Sequence, residues 1–168
     1  MPARLIIEAA DAARLSDHLA RGDDEQLAFM LAEWDGDQAR VVDLRLVENV
    51  AFDLQTPWHI SLGDEEVGQV IRWAHASGLS LVEAHVHRDG DPAGFSPSDR
   101  GGLDAFVPHV WWRLRHRPYI ALVFGDSTFD ALVWRHDATT PESLDALVVP
   151  GTADRVPTGR SLRTWRRP

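Results

Sequence analysis

Residues 77 to 99 read Ser-Gly-Leu-Ser-Leu-Val-Glu-Ala-His-Val-His-Arg-Asp-Gly-Asp-Pro-Ala-Gly-Phe-Ser-Pro-Ser-Asp. Ser77-Gly78 marks a turn, and Leu79 to His87 reads as a strand entered from it. Side chains alternate faces along a strand, so His85 and His87 point the same way and their ring nitrogens can share one metal ion. Arg88 to Phe95 is loop by its Gly, Pro and Asp content. Ser96-Pro97-Ser98-Asp99 then opens a helix, with Ser as N-cap, Pro at the first helical position and Asp in the first turn. A strand end and a helix start joined by a short loop can bring Asp99 back onto the two histidines. Two imidazoles and a carboxylate are a three-ligand set, which leaves a fourth position open as catalytic zinc sites do.

Working outward from this unit, the chain alternates strand and helix patterns. Arg4 to Ala9 is a short strand, and Ala10 to Arg21 a helix with Ala13, Leu15, Leu19 and Ala20 near one face. Strands are expected near Glu25–Trp34 and Ala39–Val47, Val50 to Pro57 as a turn region, and Trp58 to Leu62 as another strand. Gly63-Asp64-Glu65-Glu66 opens a helix carrying Val67, Val70, Ile71 and Ala74 at helical spacing, with acids where the helix dipole favours them. The helix from Pro97 is expected to reach Arg117, with Pro108 kinking or breaking it near Val107. Tyr119 to Phe124 and Thr128 to Trp134 pair as a hairpin across Gly125-Asp126-Ser127, and Leu144 to Val149 adds a strand or short helix. The expected fold is therefore mixed α/β (α+β), one domain with a central sheet flanked by helices.

Composition bounds the function. The chain has 168 residues, enough for one ordinary core. It has no cysteine, which excludes disulfides, thiolate metal sites and cysteine-nucleophile chemistry. No run of 18 or more apolar residues occurs, so no membrane span is expected, and the N-terminus is too short and acidic for a signal peptide. A cytoplasmic protein follows as the expectation. All 17 basic residues are Arg, and the formal net charge is −9. That charge is uneven: residues 155–168 carry five Arg and no acid, an Arg-rich tail behind an acidic body at 1–154. An acidic body argues against nucleic acid as a partner.

The combination His85-Val86-His87 followed by Ser96-Pro97-Ser98-Asp99 resembles the JAMM motif of the JAB/MPN zinc metalloprotease family. In that family a distant Glu precedes the motif, and here Glu25 stands before the apolar run Leu27 to Ala32 in the matching position. The resemblance covers roughly residues 4 to 135. Two departures stand out: the spacer between His87 and Ser96 holds eight residues, one more than the family pattern, and Arg88 replaces a Pro that often follows the second His. The resemblance implies a JAB/MPN-like curved mixed sheet and a Zn2+ cofactor held by His85, His87 and Asp99. It assigns Glu25 as the general base and Ser96 as a hydrogen-bond donor to the oxyanion. Glu83, on the same strand face, would orient a ligand or else face solvent, and Arg88 would hold a substrate carbonyl or an acidic partner. The other histidines considered, His59, His75, His109, His116 and His136, read as structural. The activity implied is a deubiquitinase-like isopeptidase or peptidase acting at the C-terminal tail of a ubiquitin-like protein, with E1- and E2-like conjugation enzymes as partners. The alternatives are a catalytically inactive MPN-like scaffold and a hydrolase releasing an amino acid from a carrier-protein adduct. The sequence does not give the oligomeric state.

Overall fold

The computed structural model describes residues 2–165. Arg166, Arg167 and Pro168 of the Arg-rich tail lie outside the described residues. Nine strands and four helices follow in the order β1 (Ala3–Ile6), α1 (Ala9–Leu19), β2 (Leu27–Asp35), β3 (Gln38–Leu46), β4 (Phe52–Gln55), β5 (Ile60–Leu62), α2 (Asp64–Ser77), β6 (Ser80–Val86), α3 (Pro97–Arg113), β7 (Tyr119–Phe124), β8 (Phe129–Trp134), β9 (Leu144–Val148) and α4 (Arg160–Trp165). Seven strands form one sheet in the order β8-β7-β6-β2-β3-β1-β9, and β4 and β5 form a separate hairpin. The sheet is mixed: β6–β7, β1–β3 and β1–β9 run parallel, the other neighbours antiparallel.

Alternation along the central strands builds a core on each face. Ala28, Met30, Val82, Ala84, Val86 and Leu122 pack with Leu15 and Leu19 of α1 on one side. Leu27, Phe29, Leu81, Tyr119, Ala121 and Val123 pack with Val70 and Ile71 of α2 and with Leu103 and Val107 of α3 on the other. β6 and its parallel neighbour β7 are joined through α3, and the loop at 88–95 lies where β6 ends.

Several elements depart from the sequence reading. The stretch read as a turn at 50–57 contains strand β4, which pairs with β5 in the register Phe52↔Leu62, Leu54↔Ser61 and Gln55↔Ile60. α3 continues through Pro108 as one helix and stops at Arg113, short of Arg117. Pro108 removes only the N–H that would reach the carbonyl of Asp104, an exposed residue whose carbonyl water can serve. The helix end is set instead by Arg115 and His116, both with positive φ (56° and 65°), a conformation that cannot continue a helix. On α1, Ala13 and Ala20 are exposed, and the buried face is Leu15, His18 and Leu19. Two regions the sequence left open are placed without departing from it: Leu144–Val148 is a strand, parallel to β1, and residues 155–165 of the Arg-rich segment pack on the body, where Arg155 bridges to Leu147 and the Trp165 ring meets Trp134 edge-on at 5.6 Å. No helix among the described residues is long and apolar enough to cross a membrane.

Candidate metal centre

The centre forms where β6 ends, β2 begins and α3 begins. β2 and β6 are antiparallel with Leu27 opposite His85, and Val86 N–H donates to Gln26 C=O, so the same register sets Glu25 opposite His87. The β4–β5 hairpin fixes Glu25 from outside: Glu25 N–H donates to Thr56 C=O at 2.9 Å, and Glu25 C=O accepts from Gln55 Nε2 at 2.9 Å. From the third side, α3 presents Asp99. Its first turn is a capping box, in which Ser96 Oγ accepts from Asp99 N–H (3.1 Å) and Asp99 Oδ2 accepts from Ser96 N–H (2.8 Å).

These three elements converge their side chains. The Nε2 atoms of His85 and His87 lie 3.1 Å apart. Asp99 Oδ2 lies 3.0 Å from His87 Nε2 and 3.5 Å from His85 Nε2. Glu25 Oε1 is 3.8 Å from His87 Nε2, and Glu25 Oε2 is buried with no hydrogen-bond partner. Glu25, His85 and His87 are all buried, and their ligand atoms lie within 4.8 Å of one another, so they could hold a metal ion. Two donors each roughly 2.0–2.1 Å from a tetrahedral ion stand about 3.3 Å apart. The separations among His85, His87 and Asp99 bracket that value, whereas the Glu25 contact to His87 is longer. The five residues read from the sequence, Glu25, His85, His87, Ser96 and Asp99, are thus brought to one place despite the longer spacer.

The electrostatics of the cluster couple its carboxylates to its imidazoles. Burial raises the Glu25 carboxyl above its ordinary pKa, against the pull of His85 and His87. Burial also disfavours the charged Asp99, but hydrogen bonds from His85 and His87 outweigh it and hold the carboxyl well below the usual range. At His85 burial opposes protonation, and the Asp99 hydrogen bond and charge still raise its pKa.

The surrounding residues explain the geometry. Glu83 is not a solvent-facing strand residue: it accepts a 2.6 Å hydrogen bond from Tyr119 Oη, and burial raises its carboxyl. Arg88 does not reach outward either, because its guanidinium donates to the carbonyls of Leu19, Arg21 and Asp24, tying the end of α1 to the approach of Glu25. Asp91 anchors the 88–95 loop to the β7–β8 turn. Its carboxylate accepts from Ser127 N–H and Oγ and from Thr128 N–H and Oγ1, at 2.5 to 3.1 Å, and these bonds hold it well below the ordinary carboxylate range. Gly125 permits this docking, since a Cβ there would stand 2.6 Å from Gly90 C=O. The sequence reading did not single out Asp91, whose only local signal was an Asp-Pro pair in a loop. It also passed over His18, which is buried with Nε2 2.9 Å from Leu27 C=O. His59 is exposed, with Nδ1 3.3 Å from Ser98 Oγ. A cleft of about 350 Å³ opens beside the centre, walled by Leu27, Ile60, Leu62 and Phe106 and reaching His85 and Asp99.

No protein-family model matches the chain, and no curated protein matches it. Among solved structures it is similar to the solution structure of protein DSY2949 from Desulfitobacterium hafniense. That similarity has a TM-score of 0.56 and 16% identity, over 88% of this chain and 94% of that one. At that identity the likeness is one of fold.

Proposed function

We propose that the protein is a zinc-dependent amide hydrolase of the JAMM type, cleaving at the C-terminal tail of a ubiquitin-like protein in the cytoplasm. The observation that carries the reading is the triangle of His85 Nε2, His87 Nε2 and Asp99 Oδ2, 3.0 to 3.5 Å on each side, with Glu25 beside it. His85, His87 and Asp99 would hold the zinc. Bound zinc supplies Lewis acidity, acidifying water and polarising an amide carbonyl. Glu25 takes the proton from the attacking water and delivers it to the leaving nitrogen; a carboxyl raised by burial is better matched to that task than an exposed one. Ser96 uses an Oγ lone pair for Asp99 N–H and keeps its own O–H free to donate to the developing oxyanion. The apolar cleft beside His85 and Asp99 offers the extended tail a path, with the β5 edge as a strand to pair with.

The test is metal content and cleavage together. Protein purified without chelator should carry about one zinc per chain, and should release the extension from a ubiquitin-like precursor or an isopeptide conjugate. Failure to bind zinc even after adding it back sinks the enzyme and leaves an MPN-like scaffold.

A further inference from the structure

The cleft of about 350 Å³ beside the centre carries a carboxylate that the centre does not use. Glu83, on the same face of β6 as His85, lines it together with Leu62, Val67 and Phe106. Glu83 Oε2 accepts from Tyr119 Oη at 2.6 Å. Glu83 Oε1 has no hydrogen-bond partner among the described residues and is not enclosed by protein, so it faces the cleft. No cationic side chain is ion-paired with Glu83 among the described residues. Besides Tyr119, the ionisable groups that act on it are His85 and Asp99, which stand 3.5 Å from each other. Tyr119 is buried and its ring meets Phe106 edge-on at 6.1 Å, so the hydroxyl that holds Glu83 is itself fixed. A carboxylate in an apolar cleft is costly without a cation, and one phenol hydroxyl answers only one of its two oxygens.

We infer that Glu83 makes this cleft a subsite for a basic side chain, Lys or Arg, on the acyl chain of the substrate. The inference rests on the proposed amide hydrolysis and narrows its substrates to tails with a basic residue close to the scissile bond. Glu83 stands two residues before His85, about 6.6 Å away along β6. An extended substrate covers about the same distance in two residues, so the residue two before the scissile carbonyl comes level with Glu83. The walls suit such a side chain: Leu62, Val67 and Phe106 offer apolar surface to its methylene stem, while the charged head reaches Glu83 Oε1. An apolar side chain of equal length would cover the same walls and leave the carboxylate unpaired. An acidic one would meet a like charge, so the subsite rejects as well as selects. Glu83 touches the substrate's side chain and not the reacting atoms.

The test uses the zinc-loaded full chain and the product acids acetyl-Lys-Gly-Gly, acetyl-Arg-Gly-Gly, acetyl-norleucyl-Gly-Gly and acetyl-Glu-Gly-Gly, titrated by calorimetry. All four carry the same C-terminal carboxylate, so differences among them report the first side chain alone. The Lys and Arg peptides should bind about ten-fold tighter than the norleucine peptide, and the Glu peptide weakest. Glu83→Gln keeps an acceptor for Tyr119 Oη and removes the charge; it should erase most of the preference with zinc content unchanged, and Glu83→Asp should retain part of it. Equal binding of the Lys and norleucine peptides to the unmutated protein overturns the subsite, with no variant needed. A preference that survives in Glu83→Gln overturns the assignment to Glu83. The matching aminomethylcoumarin amides are assayed in parallel. Cation-selective binding without any hydrolysis would remove the hydrolase reading and leave the subsite standing, whereas hydrolysis indifferent to the first side chain would do the reverse.

Discussion

Asp99 is bonded to Ser96 in both directions, side chain to backbone each way, while the same Asp99 oxygen that accepts Ser96 N–H stands 3.0 Å from His87 Nε2. The helix cap and the carboxylate that faces the candidate metal centre are therefore one object. A helix start that frays would carry Asp99 away from His85 and His87.

Ser96→Ala and Asp99→Asn separate the two roles. Ser96→Ala removes one cap bond and should cost about 1 kcal/mol in urea unfolding, while zinc stays near one per chain and cleavage falls through loss of the oxyanion donor. Asp99→Asn keeps a capping side chain but loses the charge, so zinc affinity should fall by at least about ten-fold with only a small change in apo stability. Zinc titration of both variants, alongside urea melts, checks the pair.

Glu25 is the residue on which two ligand sets differ. If His85, His87 and Asp99 hold the ion, Glu25→Gln keeps zinc and loses about 10²–10⁴ in turnover. Loss of zinc in Glu25→Gln would make Glu25 a ligand and remove it as the base. Metal analysis of the purified variant decides this before any assay.

The metal-free protein should be most stable in weakly acid solution. His85 has a raised folded pKa, so its contribution is full below its unfolded pKa of about 6.5 and is lost as pH rises through the folded value. Glu25, also raised, works in the same direction beginning from its unfolded pKa of about 4.3. Asp99 is lowered, so its contribution is present above about 3.9 and is lost as pH falls toward its folded value. Urea midpoints of the apo protein should decline from about pH 6 to 8. Zinc must displace protons from the imidazoles, so its added stabilisation should grow over the same interval. An apo midpoint that rises across it would refute the account.

Arg88→Ala leaves the carbonyls of Leu19 and Asp24 without their donor, takes one of two donors from Arg21 C=O, and should destabilise the fold by about 2 kcal/mol. Arg88→Lys should recover little, because an ammonium cannot span the positions a planar fork reaches. Loosening the approach to Glu25 should also lower turnover with zinc retained. Urea melts and zinc analysis of the two variants measure both effects.

The sequence carried the centre further than it carried its frame. His85, His87, Ser96 and Asp99 lie within one strand-loop-helix unit, where period-two alternation and cap chemistry are local rules. Glu25 was readable only through the family resemblance, because what brings it in is the register of β2 against β6, a contact between distant segments. The hairpin of β4 and β5 was half visible: Trp58 to Leu62 showed strand character, but Phe52 to Gln55, with Asp53 and an exposed Leu54, has no clean alternation. Pro108 misled because helix-breaking was judged without knowing which carbonyl would lose its partner. Arg88 misled because a cation in a loop looks available until the carbonyls that claim it are in place.

The four hydrogen bonds at Asp91 divide the spacer into two arms with different fates. Residues 88–90 precede the anchor. Residues 92–95 follow it and are pinned again, Ala93 N–H to Thr128 Oγ1 and Phe95 N–H to Ser161 Oγ. Length added before the mooring is taken up as slack, and length added after it is transmitted to the start of the helix. Arg88, which heads the first arm, is itself tied to Leu19, Arg21 and Asp24, so Asp89 and Gly90 are where inserted length should leave the start of the helix undisturbed.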